Sequence, residues 1–311
     1  MDIFPLFDRP QLGFKLALIS PRFDVINIVN YVRLLVGRER AEFPLPDRQL
    51  PNKIRFKDLR IRYIDHSVLT FLHSNQQIWD RGISLRLLSV PVSSDKGKPV
   101  WDVFAQEAWD VFAREIWPIF APNIRHLRFT NGAHLDNLRR RISPTILAEL
   151  VNLNSINSYL LPPDAIANDG PNLNAGQALA KWLHTPRTDG KPKRLRCCGG
   201  DLNGQPNFDW VNSFKEAFLR ATTTTNSPVN YSIRFAVINS TPIVPFELVN
   251  ERTQEKLTLM NVIRVEDVSG WKLKRCSISE KASAAAFQWK DEFLEDLNNV
   301  RIYLCDHNDI G

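Results

Sequence analysis

Six short runs along the chain place an arginine between two apolar residues: Leu59-Arg60-Ile61, Leu85-Arg86-Leu87, Leu127-Arg128-Phe129, Leu195-Arg196-Cys197, Ile233-Arg234-Phe235 and Val300-Arg301-Ile302. Leu273-Lys274 and Leu153-Asn154 look like variants. Alternation of this kind marks a strand with one buried and one polar face. The steps from Arg60 to Arg86 and from Arg86 to Arg128 are about 26 and about 42 residues, and both recur through Asn154 to Arg196. A longer period of about 68 connects Arg60, Arg128 and Arg196. Beyond Arg196 the spacing drifts, so the repeat is degenerate.

Helix candidates lie between these runs. Ser67 to Ile78 carries Val68, Leu69, Phe71 and Leu72, and Ser143-Pro144 sets a capping residue before a first-turn proline, leading into Ile146, Leu147 and Leu150. Asn174 is placed to cap Ala178 to Leu183, and Asp209 precedes Val211, Phe214, Ala217 and Phe218. In Trp101 to Phe120, Trp101-Asp102-Val103-Phe104-Ala105 is copied at Trp109-Asp110-Val111-Phe112-Ala113. An eight-residue step turns a helix by about 80°, so one copy is expected to be partly exposed. Toward the C-terminus, Phe246 to Val249 and Lys256 to Leu259 predict a hairpin around Asn250 to Glu255. A strand Trp271 to Ile278, a helix through Trp289 to Leu297 and a last strand Arg301 to Leu304 would complete a cap. The expected fold class is α/β: a short helical N-terminus, then a degenerate leucine-rich-repeat-like solenoid with a hairpin-containing C-terminal cap. A doubly wound nucleotide-binding sheet is the competing architecture, but it lacks its glycine-rich strand-to-helix turn.

At the N-terminus, Asp8-Arg9-Pro10 predicts a tight turn before a short helix carrying Leu12, Leu16, Ala17 and Ile19, stopped at Ser20 by Pro21. From Phe23, Ile26, Val29 and Val32 predict a second helix with Asp24, Asn27, Asn30 and Arg33 on its wet side. A helical hairpin capping the next domain would fit the same pattern. The segment from about Leu6 to Ile26 also resembles the second half of an F-box. Leu6, Phe7, Pro10, Leu12, Leu16, Ala17, Ile19, Ser20, Arg22 and Phe23 fall where that family places its turn, helix and Arg-Phe exit.

The phrases Leu50-Pro51-Asn52-Lys53, Arg60-Ile61-Arg62-Tyr63-Ile64-Asp65, Ala180-Lys181-Trp182-Leu183-His184-Thr185-Pro186-Arg187 and Val244-Pro245-Phe246-Glu247-Leu248 are similar to those of F-box proteins expanded in plant-parasitic cyst nematodes. The resemblance implies a non-catalytic receptor in the cytoplasm or nucleus. Its F-box residues would dock a Skp-type adaptor, and through it a cullin-based ubiquitin ligase. The family's opening helix, led by a Leu-Pro pair and an acidic residue, has no counterpart in Met1 to Phe7, so the module is expected to be truncated. The expected division is a truncated F-box-like module at 1–36, a proline-rich connector at 37–51, a repeat region at 52–240 and the cap at 241–311. An interaction scaffold that has lost its adaptor is the alternative.

Composition narrows the chemistry. With 311 residues, 43% hydrophobic and 24% charged, the chain can bury a substantial core and does not read as disordered. No apolar run reaches the roughly 18 residues of a membrane span, and no signal-like start is present. Cys197, Cys198, Cys276 and Cys305 form no disulfide framework and read as buried reduced thiols. Gly97-Lys98 and Gly190-Lys191 lack the upstream glycine of a phosphate loop, and no serine-elbow or His-Glu-x-x-His motif occurs, so neither catalytic residues nor a cofactor are expected. Cys276 with Cys305-Asp306-His307 fits no zinc spacing.

The arginines remain as candidate binding residues. With Leu59, Ile61 and Tyr63 turned toward helices, Arg60 and Arg62 must face the other way, as must Arg86, His126, Arg128, Arg194, Arg196, Ser232, Arg234, Lys272 and Lys274. Of these Arg60, Arg62, Arg86, Arg128, Arg194, Arg196, Arg234 and Lys274 are the expected substrate contacts, forming a basic ladder for an acidic protein segment. A solvated sheet face, its arginine stems covering apolar surface, satisfies the same pattern. The net charge of +6 and pI near 9.2 would also suit nucleic acid, but no recognition motif accompanies them, and Arg139-Arg140-Arg141 reads as a solvated helix or loop face.

Overall fold

The computed structural model describes residues 22–23, 25–28, 32–36, 39–43, 49–50, 55–56, 59–61, 64, 66–89, 109–129, 132–158, 161–165, 173–198, 209–222, 228–238, 243–265, 268–279 and 297–304. The strands in chain order are β1 Arg22–Phe23, β2 Val25–Ile28, β3 Val32–Val36, β4 Glu39–Phe43, β5 Arg55–Phe56, β6 Leu59–Ile61 and β7 Ile83–Ser89, then β8 Ile124–Phe129, β9 Ser155–Ser158, β10 Lys193–Cys198, β11 Tyr231–Ile238, β12 Phe246–Asn250, β13 Glu255–Val265, β14 Val268–Ser277 and β15 Asn298–Leu304. With their intervening helices they form a mixed α/β architecture that divides into two compact units, residues 1–126 with 291–311, and residues 127–290.

In the first unit the strand order is β4-β3-β2-β6-β15-β7. Strand β15 runs parallel to both β6 and β7, β2 runs parallel to β6, and β2, β3 and β4 form an antiparallel meander. The tripeptides Leu59-Arg60-Ile61, Val300-Arg301-Ile302 and Leu85-Arg86-Leu87 lie side by side in register. Their six apolar flanks are 0% exposed, whereas the three arginines are half-buried. That contrast is the period-two alternation made physical.

Two expectations are corrected here. The helix expected from Phe23 is instead strand over Val25–Ile28 and Val32–Val36, because Val25, Ile26, Ile28 and Val32 are β-branched and stiff at χ1. The last strand, expected in the C-terminal cap, pairs within the first unit, where its Val300 and Ile302 complete an apolar row between β6 and β7. Asn298 anchors it: its backbone N–H donates to Gly82 O at 3.1 Å and its Nδ2 to Ile78 O at 2.9 Å. Gly82 has φ +105°, and a Cβ there would come within 2.7 Å of the Arg125 side chain.

The expected helix Ser67 to Ile78 is broken into His66–Ser74 and Gln76–Trp79 by buried Asn75, whose Nδ2 donates to Phe71 O and whose Oδ1 accepts from Leu50 N. Trp79 packs edge-to-face on Phe120 at 5.3 Å. In the later helix, Phe112–Ile116 widens to a π turn, with Trp117 N–H bonded to Phe112 O, immediately before Pro118. A proline cannot supply the regular helical bond there, so the shifted ladder accommodates it. Trp109 and Phe112 of the second Trp-Asp-Val-Phe-Ala copy are buried, and the first copy lies outside the described residues.

In the second unit the order is β8-β9-β10-β11-β14-β13-β12. Strands β9, β10 and β11 are parallel, with helix Ala175–His184 in one crossover and Asp209–Arg220 in the next. Antiparallel pairing then takes over through β14, β13 and β12, the last two forming the expected hairpin. The helix Ala175–His184 starts with a full capping box between Asn174 and Gln177, as the sequence indicates. In its neighbour Gly132–Arg141, the Arg139 guanidinium donates to Pro144 O, just after that helix, and to Leu173 O, just before the capped one. Arg139 is therefore a buried strut and not part of a solvated face, since those carbonyls replace its water.

Beneath this sheet, Trp210 packs edge-to-face on Phe214 and, at 5.0 Å, on Phe235, Phe214 packs the same way on Tyr231, and Phe218 is buried beside them. Arg275 crosses to Glu255 with Nε–Oε2 at 3.0 Å, lies 5.2 Å over Phe218, and Glu255 Oε1 accepts Val229 N–H at 2.8 Å. Asn250 closes the hairpin onto the helix end, donating to Phe218 O at 2.7 Å and Ala221 O at 3.0 Å. Glu255→Ala leaves Arg275 buried and uncompensated, and is expected to cost about 3–5 kcal/mol in urea unfolding. Asp189→Ala, which breaks an exposed pair with Arg187, should cost less than about 1 kcal/mol. Equal losses would rule out the buried pair as the clamp.

Candidate functional site

The face of the second unit's sheet opposite its aromatic core carries two cross-strand rows. The first reads Ser155, Arg194, Ser232, Lys274, Thr258 and Glu247 across β9, β10, β11, β14, β13 and β12. The second reads Asn157, Arg196, Arg234, Lys272 and Met260. Between them Ile156, Leu195, Ile233, Leu273 and Leu259 point to the core and are at most 2% exposed. Each such row fixes its neighbours' direction, because a one-residue slip would bury arginines and expose leucines.

Adjacent strands stand about 4.8 Å apart and alternate residues on one strand about 7 Å apart. Arg196, Arg234 and Lys272 are thus directly opposite one another on three strands. Arg196 is exposed, Arg194, Arg234 and Lys274 are half-buried, and Lys272 and Ser232 are buried at 8% and 6% exposure. Burial holds the Lys272 ammonium below its ordinary range, and Arg234, Lys274 and Arg194 push it further the same way, against a small opposing effect of Cys276. Ser232 Oγ, enclosed at the centre of the first row, has no hydrogen-bond partner among the described residues.

Of the sequence-predicted contacts, Arg194, Arg196, Arg234 and Lys274 come together here. Arg60 and Arg86 belong to the first unit, flanking Arg301 in register. Arg128 is half-buried on β8, and Arg62 lies outside the described residues. Asn154, expected as the arginine-equivalent of β9, precedes that strand; the register gives the place opposite Arg196 to Asn157. Lys272 and Ser232 were absent from the expected contacts although the alternation in Trp271-Lys272-Leu273-Lys274 and Tyr231-Ser232-Ile233-Arg234 carries their signal. Among the expected adaptor contacts, Leu6, Phe7, Pro10, Leu12, Leu16, Ala17, Ile19 and Ser20 lie outside the described residues. Arg22 and Phe23 form β1, in parallel register with Arg55 and Phe56.

Other clusters do structural work. Under the sheet, His184 Nδ1 lies 2.8 Å from Ala180 O and its ring 5.5 Å from Tyr231. Desolvation lowers His184 to about 4 and raises the Tyr231 phenol to about 12, so at neutral pH both are uncharged. Lys193 donates to Trp182 O at 2.6 Å and is lowered to about 8, chiefly by burial. A hollow of about 220 Å³ at the strand ends is lined by Pro186, Arg187, Lys191, Pro228, Asn230 and Ser277 among others, without a paired nucleophile and base. Cys197 and Cys276 are buried thiols. Among the described residues, no group of three His, Cys, Asp or Glu is placed to hold a metal ion, and no helix is long and apolar enough to cross a membrane. No protein-family model, curated protein or solved structure matches the chain.

The depressed His184 makes stability pH-dependent. The unfolded chain takes up a proton near pH 6.5 that the folded chain refuses until about 4, so stability holds above pH 6.5 and falls as pH drops toward 4, by on the order of 3 kcal/mol. Between pH 7 and pH 5 urea unfolding should register about 2 kcal/mol of that loss. His184→Leu should flatten that part of the profile, and an unchanged slope in the variant would refute the assignment.

Proposed function

We propose that this protein is a non-catalytic receptor for an acidic protein segment, bound on the cationic sheet face and presented to a Skp-cullin ubiquitin ligase through the N-terminal F-box-like segment. The observation that carries the receptor half is the pair of rows that set Arg194, Arg196, Arg234, Lys272 and Lys274 on one face around Ser232. Like charges directly opposite on neighbouring strands oppose sheet formation, and a bound carboxylate-rich segment relieves that repulsion while guanidinium forks supply its orientation. The ligase half is supported by the Leu6 to Phe23 resemblance. Its setting would be the cytoplasm or nucleus.

A scaffold without ligase coupling is the second reading. It is favoured by the strand backbone of Val25–Ile28 and Val32–Val36, where a docking module would continue as helix. Copurification of the full chain with a Skp-type adaptor separates the two. Under the ligase reading the adaptor is retained, and Leu16→Asp with Ile19→Asp reduces retention at least about tenfold by placing carboxylates in an apolar contact. Absence of the adaptor beside a bound F-box control would leave the scaffold reading.

A further inference from the structure

The first cationic row has a feature that an acidic segment does not require. Ser232 is a buried hydroxyl without a hydrogen-bond partner among the described residues, flanked at neighbouring register positions by Arg194 on β10 and Lys274 on β14. Arg234 follows two residues along its own strand, and Lys272 sits diagonally on β14. All five positions share one face: Arg194 and Lys274 are one strand spacing of about 4.8 Å from Ser232, Arg234 one two-residue step of about 7 Å, and Lys272 on the diagonal at about 8 Å. We infer that Ser232, Arg194, Lys274, Arg234 and Lys272 form a binding site for a phosphoryl group carried on a phosphorylated serine or threonine of an extended protein segment.

The chemistry of the donor set favours phosphate over carboxylate. A carboxylate is planar, carries one charge and is filled by a bidentate guanidinium. A phosphoryl group carries about −1.5 to −2 and three acceptor oxygens pointing in different directions. Here the register brings together a guanidinium from one neighbouring strand, an ammonium from the other and a hydroxyl between them, three donor types that a phosphoryl group can use together, with Arg234 and Lys272 adding charge. Burial depresses Lys272, Arg234, Lys274 and Arg194 add to that effect, and a dianion bound beside them would act on the ammonium in the opposite direction. A segment, in place of a free ion, is the chosen source because the cations do not stop at Ser232: Arg196, Arg234 and Lys272 continue across three strands as a second row, more surface than one phosphate covers.

This inference rests on the receptor reading, and the test separates their failures. Full-length protein is titrated against three fluorescein-labelled dodecapeptide pools with identical degenerate flanks and a central phosphoserine, glutamate or serine. Inorganic phosphate and a single-stranded RNA of equal length are tested alongside. The phosphoserine pool is expected to bind at least about tenfold tighter than the glutamate pool, and inorganic phosphate to compete only weakly. Arg194→Gln and Lys274→Gln should each remove about tenfold of that preference, Ser232→Ala about threefold, and Arg194→Lys should retain part of it. Thermal unfolding checks that each variant is folded, and the single hydroxyl deletion Ser232→Ala, which relieves an unsatisfied group, keeps the test available if an arginine variant is not. Equal binding of phosphoserine and glutamate pools overturns the phosphoryl site and leaves the acidic-segment receptor standing. Binding of neither pool overturns both. Phosphoserine peptides no tighter than inorganic phosphate, or preferential binding of RNA lost in the same variants, also overturns the inference.

Discussion

The cross-strand register of the apolar-basic-apolar tripeptide is the constraint on which both units depend. In the first unit it aligns Leu59-Arg60-Ile61, Val300-Arg301-Ile302 and Leu85-Arg86-Leu87, and in the second it aligns Leu195-Arg196-Cys197 with Ile233-Arg234-Phe235. Flanking residues such as Leu195, Ile233 and Leu273 are fully buried, each contributing about 1.5–3 kcal/mol. Because the side-chain period is two, the same burial that fixes these residues against the helices also fixes every intervening cation on the other face. The cationic surface is a consequence of the core's register.

The buried ionic cluster governs where that parallel pattern ends. After β11 the chain turns antiparallel, and Arg275 of β14, paired with Glu255 at the start of β13, fills the place beside Tyr231 where another apolar side chain would continue the core. Glu255 also satisfies Val229 N–H just before β11, and Asn250 satisfies two carbonyls at the end of helix Asp209–Arg220. These bonds tie hairpin, helix and last parallel strand into one closure. Polar groups this enclosed tolerate little rearrangement, since leaving any of them unpaired costs more than the bond itself contributes.

Strand placement in the second unit was legible because alternation is a local signal: the tripeptides centred on Arg196 and Arg234, the hairpin about Asn250 and the Asn174 cap all appear in the structure. The β9 equivalent was not. Leu153-Asn154 has the right composition, yet Ile156-Asn157-Ser158 takes the register opposite Leu195-Arg196-Cys197, and no local pattern tells the two apart. Residues 25–36 misled for a related reason. Ile26, Val29 and Val32 recur at helical spacing, but β-branching at Val25, Ile26, Ile28 and Val32 and pairing with β6 outweigh the period. The placement of β15 between β6 and β7 depends on contacts far apart in sequence, such as Asn298 with Ile78. Ser232 was visible as an outward residue, but its enclosure and lack of a partner are properties of the packed sheet.

The cationic rows set local stability against local order. Directly opposed like charges weaken a sheet, and burying Lys272 among arginines adds desolvation to repulsion, so this face opposes the register that the apolar rows enforce. Replacing Arg234 or Lys272 by threonine would preserve strand propensity and remove the repulsion. A sequence shaped by folding alone has no use for three opposed cations around an unsatisfied hydroxyl, and such conflicts between local and global preference concentrate at binding sites. On the opposing face the Arg275–Glu255 pair is matched, hydrogen-bonded and stacked on Phe218. The anion proposed for this face would relieve the repulsion between its opposed cations and give the enclosed Ser232 hydroxyl a partner.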